Sequence, residues 1–388
     1  MNRFRYLQQR STVVCSLLSV LVLLLCAPED LRAEEGHYDY EISEEDGTVT
    51  ITGYRGPGGE LVIPDTLAGR IVKTIGRRAF MEKNQITSVT FPNTVTFIGR
   101  ESFRDCQGLA TIHIPESVEH IALPAFNRNR NIESFHVAEG NRFYRSVDGA
   151  LFHKDMSAIR RFPTARSGEY VLPEGVTLIH DGAFSFATKL TSVVIPEGVT
   201  HINKGAFRGC ESLTNVELPE SLEQFSSKAR IFLDCVSLKS IVIPDGVTSI
   251  PRLAFSGCVS LEDVTLPKNL KTIEGQAFMG CSSLKRIVIP AGVERLGGGR
   301  GAEVFMGCDN LTSVYFLGDA PKVTGPIFSI DSIDEPIGLE LSHDLVDVPP
   351  TSPPLTVYRT KNAQGWPRPG ERWMNVPTAL FSPLKDAE

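Results

Sequence analysis

Phenylalanine returns on a near-fixed beat, at Phe80, Phe103, Phe126, Phe184, Phe207, Phe232, Phe255, Phe278 and Phe305, with successive gaps of 23, 23, 58, 23, 25, 23, 23 and 27. A proline that follows an apolar residue keeps the same beat, at Pro64, Pro92, Pro115, Pro173, Pro196, Pro219, Pro244, Pro267 and Pro290. A catalytic motif has no reason to recur at a fixed interval. A stacked coil does, because each turn offers the same residue to the same neighbour. The aligned unit reads L-x-x-V-x-I-P-x-G-V-T-x-I-x-x-x-A-F-x-G-C-x-S.

The segment L-x-x-V-x-I alternates as a strand does, so Val and Ile face one side and the residues between them the other. Proline has no N–H to give a ladder, so Ile-Pro marks the strand's end. Val-Thr-x-Ile is a second short extended piece, and Ala-Phe-x-Gly-Cys turns the corner with Phe inside. One such coil buries too little to stand alone, so the array needs several coils and a cap at each end.

With this repeat the chain resembles the BspA-type leucine-rich-repeat family of bacterial secreted and surface proteins, over about residues 38–380. "GTVTITGYRGPGGELVIP" resembles that family's opening cap; "YFLGDAPKV", "LTVYRTKNAQGWP" and "NVPTAL" resemble its closing segment. The resemblance implies a leucine-rich-repeat solenoid: a β-rich right-handed superhelix with a parallel sheet on one face, about ten coils of 23 residues, capped at both ends. Expected divisions are a signal peptide at 1–33, an N-terminal cap and first irregular coil at 34–75, the solenoid at 76–317, and a C-terminal cap with a loop-rich insertion at 318–388. The longest gap between phenylalanines holds one coil enlarged by about 12 residues, placed at 127–172, where "NRFYRSVDGALFHKDMSAIRRFP" reads as a two-stranded excursion with turns at Asp148-Gly149 and Lys154-Asp155. Smaller insertions precede Phe232 and Phe305. Trp366 and Trp373 are expected to cover the last coil.

Ahead of the repeats, Arg3, Arg5 and Arg10 precede the apolar run "VVCSLLSVLVLLLCA" and then Pro28, Glu29 and Asp30. A basic start, about 15 apolar residues and a small Ala33 read as a secretory signal cleaved after Ala33. An uncleaved anchor is the weaker reading, since spanning a bilayer takes about 20 apolar residues. The net charge of the chain is −7, and residues 1–33 hold four arginines against two acids, so the exported part is more acidic still. That balance argues against nucleic acid or anionic membrane as partner. No second long apolar run follows, so no membrane span is expected after signal removal.

Beyond the signal, six cysteines remain: Cys106, Cys210, Cys235, Cys258, Cys281 and Cys308, each three residues after a repeat Phe. An even count in an exported chain suggests disulfides; the repeat position suggests a column of small buried thiols instead. Metalloprotease, hydrolase, phosphate-loop and C-x-x-C signatures are absent from the sequence. "LGGGRG", at 296–301, reads as an inserted turn and "EEDG", at 44–47, as a turn between cap strands. No cofactor or metal is implied, and the expectation is a protein that is not an enzyme.

What remains is the outward face of the sheet. Its first column runs Ser88, Thr111, Ser134, Ser192, Asn215, Ser240, Asp263, Arg286 and Ser313; its second runs Thr90, His113, His136, Val194, Glu217, Val242, Thr265, Val288 and Tyr315. Solenoids bind through such faces, and the least repeat-like positions are the candidates: Asp263, Arg286, Tyr315, Glu217, His113 and His136. His113 and His136 fall on successive strands, but two imidazoles fall short of the four ligands of a structural zinc. Ser and Thr, for their part, simply suit an exposed β face. The function expected is recognition of an extracellular protein or glycan at the cell surface or after secretion, with adhesion as the role the resemblance implies. The alternative is a structural repeat protein of the envelope or an extracellular layer.

Overall fold

The computed structural model describes residues 35–227, 230–298, 301–325, 327–328, 355–360, 363–368, 371–373 and 376–381. The expected signal peptide and most of the expected loop-rich insertion lie outside the described residues. The chain is a β-solenoid of about 12 turns of about 23 residues with parallel sheets. Among the described residues one short 3-10 turn, Glu35–His37, precedes the first strand.

The L-x-x-V-x-I segments build the first side. Thr111–Ile114 pairs in parallel with Ile86–Thr90 and with Ser134–Val137, aligning Thr90, His113 and His136. Ile112 and Ile114 are buried while Thr111 and His113 are not, as alternation demands. Because partners stand one period apart in the chain and one rung apart in the ladder, register is imposed by the period itself.

The Val-Thr-x-Ile pieces do more than turn the chain: they form a second parallel ladder. Ile75, Ile98 and Ile121 align across three successive coils, as do Ile179, Ile202 and Phe225. Twelve described segments follow one another on this side, from Val49–Tyr54 to Lys322–Thr324. The N-terminal cap supplies two of them, Val49–Tyr54 and Arg70–Ile75, and the enlarged coil and the C-terminal cap one each, Ala158–Arg161 and Lys322–Thr324.

The corner is the third side. Phe80 N donates to Ser102 O and Phe255 N to Ala277 O, both at 2.8 Å, and two residues on Gly257 N donates to Met279 O at 2.7 Å. These bonds lock each corner to the next coil. The rings stack inside: Phe80 and Phe103 lie 4.7 Å apart and 1° from parallel, Phe255 and Phe278 5.4 Å and 7°. Phe328, one period beyond Phe305, continues the stack at 5.7 Å although neither Ala-Phe nor Gly-Cys surrounds it. Residues flanking the corner Phe take left-handed backbone, such as Leu253 (φ 60°) and Gly257 (φ 75°). Glycine at the second of these places avoids a cost of about 1–2 kcal/mol for a side chain there.

The enlarged coil departs from the expected excursion. Tyr144–Val147, Ala150–His153 and Ala158–Arg161 form three antiparallel strands, not two, and the third then joins the second ladder in parallel with Leu178–Ile179. Asp148 (φ 50°) and Gly149 (φ 77°) both turn left-handed, as a tight hairpin requires. Here the apolar core divides into two clusters, one ending at Leu151 and the other starting at Ala150. Polar groups bridge the division. Arg160 donates to Ile121 O and Ser185 Oγ to Asn127 Oδ1 across it, while Arg161, buried, donates to Gly182 O and to Ser185 Oγ on one side.

At the far end Trp366 and Trp373 pack on Phe316, with ring centroids 4.8 and 5.5 Å away. Trp366 Nε1 donates to Gly318 O at 3.2 Å. Both tryptophans cover the last coils, and the indole N–H finds the partner that a buried one needs.

Candidate functional site

All six candidate residues lie on the first ladder and on its outward side. Glu217, Asp263, Arg286 and His136 are exposed, and His113 and Tyr315 are partly so. Which of them meet depends on the ladder's continuity. His113 and His136 are paired in register, with rings stacked at 4.9 Å and 15°. His136 Nε2 lies 2.9 Å from Ser134 Oγ. Burial holds His113 below the ordinary histidine pKa and the neighbouring His136 adds to this, while Glu60 opposes it. Among the described residues no group of three or more His, Cys, Asp or Glu side chains could hold a metal.

Tyr315 stacks on Tyr358 at 4.7 Å and 16°, a partner absent from the candidate set. The signal for it was present: "LTVYRT" repeats the pattern of "LTSVYF", and the two segments pair with Tyr315 opposite Tyr358.

Asp263 and Arg286, by contrast, do not pair. Both head the first column of successive coils, yet the hydrogen-bonded ladder is interrupted between Asp263–Thr265 and Arg286–Ile289. Among the ion pairs of the described residues, none joins these two side chains. A second interruption separates Asn215–Glu217 from Ser240–Val242, where the coil is 25 residues long. Asn215, Glu217, Ser240 and Val242 line a shallow hollow at that gap.

The second column also carries apolar side chains in the open. Val171 is 66% exposed, Val242 62% and Val288 44%. The other face of the same strands is core, so the sheet is a one-sided, extended and partly apolar surface.

The cysteines are not part of it. All six described are free and buried. Each thiol donates to the carbonyl of the Phe one coil back: Cys106 to Phe80 at 2.9 Å, Cys210 to Phe184 at 3.2 Å, Cys235 to Phe207 at 3.1 Å. Cys258, Cys281 and Cys308 repeat the contact at 3.2, 3.2 and 3.1 Å. The thiol is therefore a hydrogen-bond donor as well as a small apolar group. Burial pushes the Cys106 thiol up to about 12, so thiolate chemistry is closed to it. At Asn129, which stands where Cys would, the amide donates to Phe103 O at 2.8 Å and accepts from Cys106 N at 2.7 Å.

No match was found among curated protein sequences. Solved structures that resemble the chain include a leucine-rich repeat protein from Eubacterium ventriosum, 22% identical, covering 69% of this chain and 94% of that one with a TM-score of 0.44. A leucine-rich cell surface protein from Faecalibacterium prausnitzii is 22% identical, covering 72% and 93% with a TM-score of 0.42. The pneumococcal vaccine antigen PcpA is 18% identical, covering 84% and 92% with a TM-score of 0.41. The family model described as BspA type leucine-rich repeat region matches in six copies, over residues 70–155, 162–230, 177–312 and 226–335. Those matches span more than half of the chain, which belongs to the BspA-type leucine-rich-repeat family.

Proposed function

We propose that this is a non-enzymatic, secreted or surface-displayed binding protein that recognises an extracellular protein or glycan through the outward face of the first sheet. The observation that carries the reading is the row of outward Val171, Val242 and Val288 leading to the stacked Tyr315 and Tyr358. Exposed apolar and aromatic side chains on a rigid, pre-formed ladder bind without the ordering cost that a mobile loop would pay. Asp263 and Arg286 flank the row as charges of opposite sign that are not spent on each other, suited to orienting a partner.

The test is binding of residues 34–388 to an array of extracellular proteins and glycans, beside a variant with Asp263, Arg286 and Tyr315 changed to Ser. Selective binding lost in the variant supports the reading. Absence of binding by both, together with self-association in light scattering, overturns it in favour of an assembly role.

A further inference from the structure

Where the enlarged coil narrows the third side, two corners 58 residues apart in sequence close on each other, tied by Ser185 Oγ donating to Asn127 Oδ1 at 3.3 Å. Between them stands Phe186, at the corner place that Gly209, Gly257, Gly280 and Gly307 occupy in other coils, with φ at 64°. An aromatic side chain at a left-handed position is strained, and such strain persists where surrounding structure holds it. The ring lies over Gly209, where a Cβ would come within 3.0 Å of Phe186 Cδ1.

Three guanidinium groups surround that one ring. Arg208 stands 5.6 Å from its centroid, Arg128 5.8 Å and Arg130 5.9 Å. Arg128 shares Asp105 with Arg104, at 3.1 and 3.0 Å, and Arg130 pairs with Glu211 at 3.1 Å. Arg208 has no such carboxylate among the described residues, and its Nε is sealed from water without a hydrogen-bond partner. Burial holds its pKa below the ordinary arginine value; Asp234 opposes this, and Arg230 and Arg128 add to it. A chain of net charge −7 thus gathers three positive charges around one ring, and among the described residues one of them, Arg208, has no carboxylate in ion-pair contact.

The geometry points to a binding site for the sulfate groups of an acidic glycan at Arg128, Arg130 and Arg208, with Phe186 as the platform that holds the three guanidinium planes together. Arginine forks suit a multi-oxygen anion bound through several N–H groups at once. An acidic peptide suits the corner less well. The ring is already covered by guanidinium groups, and the corner's backbone donors are spent: Ser185 N on Gly182 O, Phe186 N on Arg208 O and Ala187 N on Phe184 O. A sulfated sugar brings concentrated charge and asks for neither. The site is on the corner, not the sheet, and is independent of the sheet-face reading.

The test is calorimetric titration of residues 34–388 with a sulfated heparan-type hexasaccharide at low and at physiological salt. Its arms are the desulfated hexasaccharide and a polyglutamate peptide. Binding is expected to be salt-sensitive and to weaken roughly tenfold in Arg208→Gln and in Arg128→Gln with Arg130→Gln, each the loss of hydrogen bonds to a charged group. Phe186→Gly should weaken it too while changing the thermal midpoint little, which separates loss of site from loss of fold. The Arg142→Gln variant, at an exposed position elsewhere, should bind as the parent does. No binding of the sulfated sugar overturns the assignment, as does equal binding of either arm compound or equal weakening by Arg142→Gln.

Discussion

The Cys258 thiol donates to the Phe232 carbonyl at 3.2 Å, one coil back, and the same bond joins Cys281 to Phe255. A column of buried thiols therefore stitches the corners by hydrogen bonds. Cys258→Ala, which leaves the Phe232 carbonyl without this donor, should cost about 1–3 kcal/mol, read as a lower urea midpoint. A thiol reagent should label the six cysteines only when the chain unfolds. Labelling at native rates of an exposed thiol would refute the buried column.

The stacked rings predict a positional effect. Phe255 is fully buried between Phe232 and Phe278, so Phe255→Ala should destabilise by about 3–5 kcal/mol. Phe328 has one described stacking neighbour, Phe305. Phe328→Ala should cost less, because among the described residues one ring stacks on it where two stack on Phe255. Equal midpoints for the two variants in chemical unfolding would contradict nearest-neighbour stacking.

At the enlarged coil His153 and His180 face each other, Nε2 to Nε2 at 3.3 Å, with Arg160 Nη1 3.5 Å from His153. Burial first, then Arg160 and His153, lowers the His180 pKa from 6.5 to about 3. Burial first, then Arg160, lowers His153 against Asp155. Between these values the unfolded chain binds the proton and the folded one does not. Stability is therefore whole above pH 6.5 and falls progressively as pH drops toward 3. His180→Phe should flatten this fall, seen in urea midpoints measured at neutral and mildly acid pH. An unchanged pH slope in the variant would remove His180 as its source.

Phe186→Gly replaces a strained residue by the one its φ of 64° favours. Relief of that strain is worth about 1–2 kcal/mol, against which each of the three lost cation–π contacts counts about 0.5–1 kcal/mol at an exposed site. The two contributions are of similar size, so the thermal midpoint should change little. A clear drop would mean that the arginines around Phe186 contribute more to the fold than the strain takes away.

Much of this was legible in the residues. The repeat period placed the outward columns correctly, so His113, His136, Glu217, Asp263, Arg286 and Tyr315 all lie on one face as expected. Less legible was which of them meet, because the interruption between Asp263–Thr265 and Arg286–Ile289 has no counterpart in spacing: the two strands start one standard period apart like any other pair. The second ladder was hidden for a different reason. Its segments are mostly only two or three residues long, too short to show a strand's alternation.

The sequence by itself determined the coil, its length and its inward residues. A repeat that puts Val, Ile and Phe at fixed intervals can bury them only by stacking, and equal intervals leave one register. Tertiary structure alone decided how non-repeating residues meet. Arg128 and Phe186 are 58 residues apart in the chain and 5.8 Å apart in space because the enlarged coil withdraws one corner. The thiol's role as donor likewise depended on where the Phe carbonyl of the previous coil points. Periodicity specifies what every coil shares; contacts made where the period breaks depend on how the chain closes around that break.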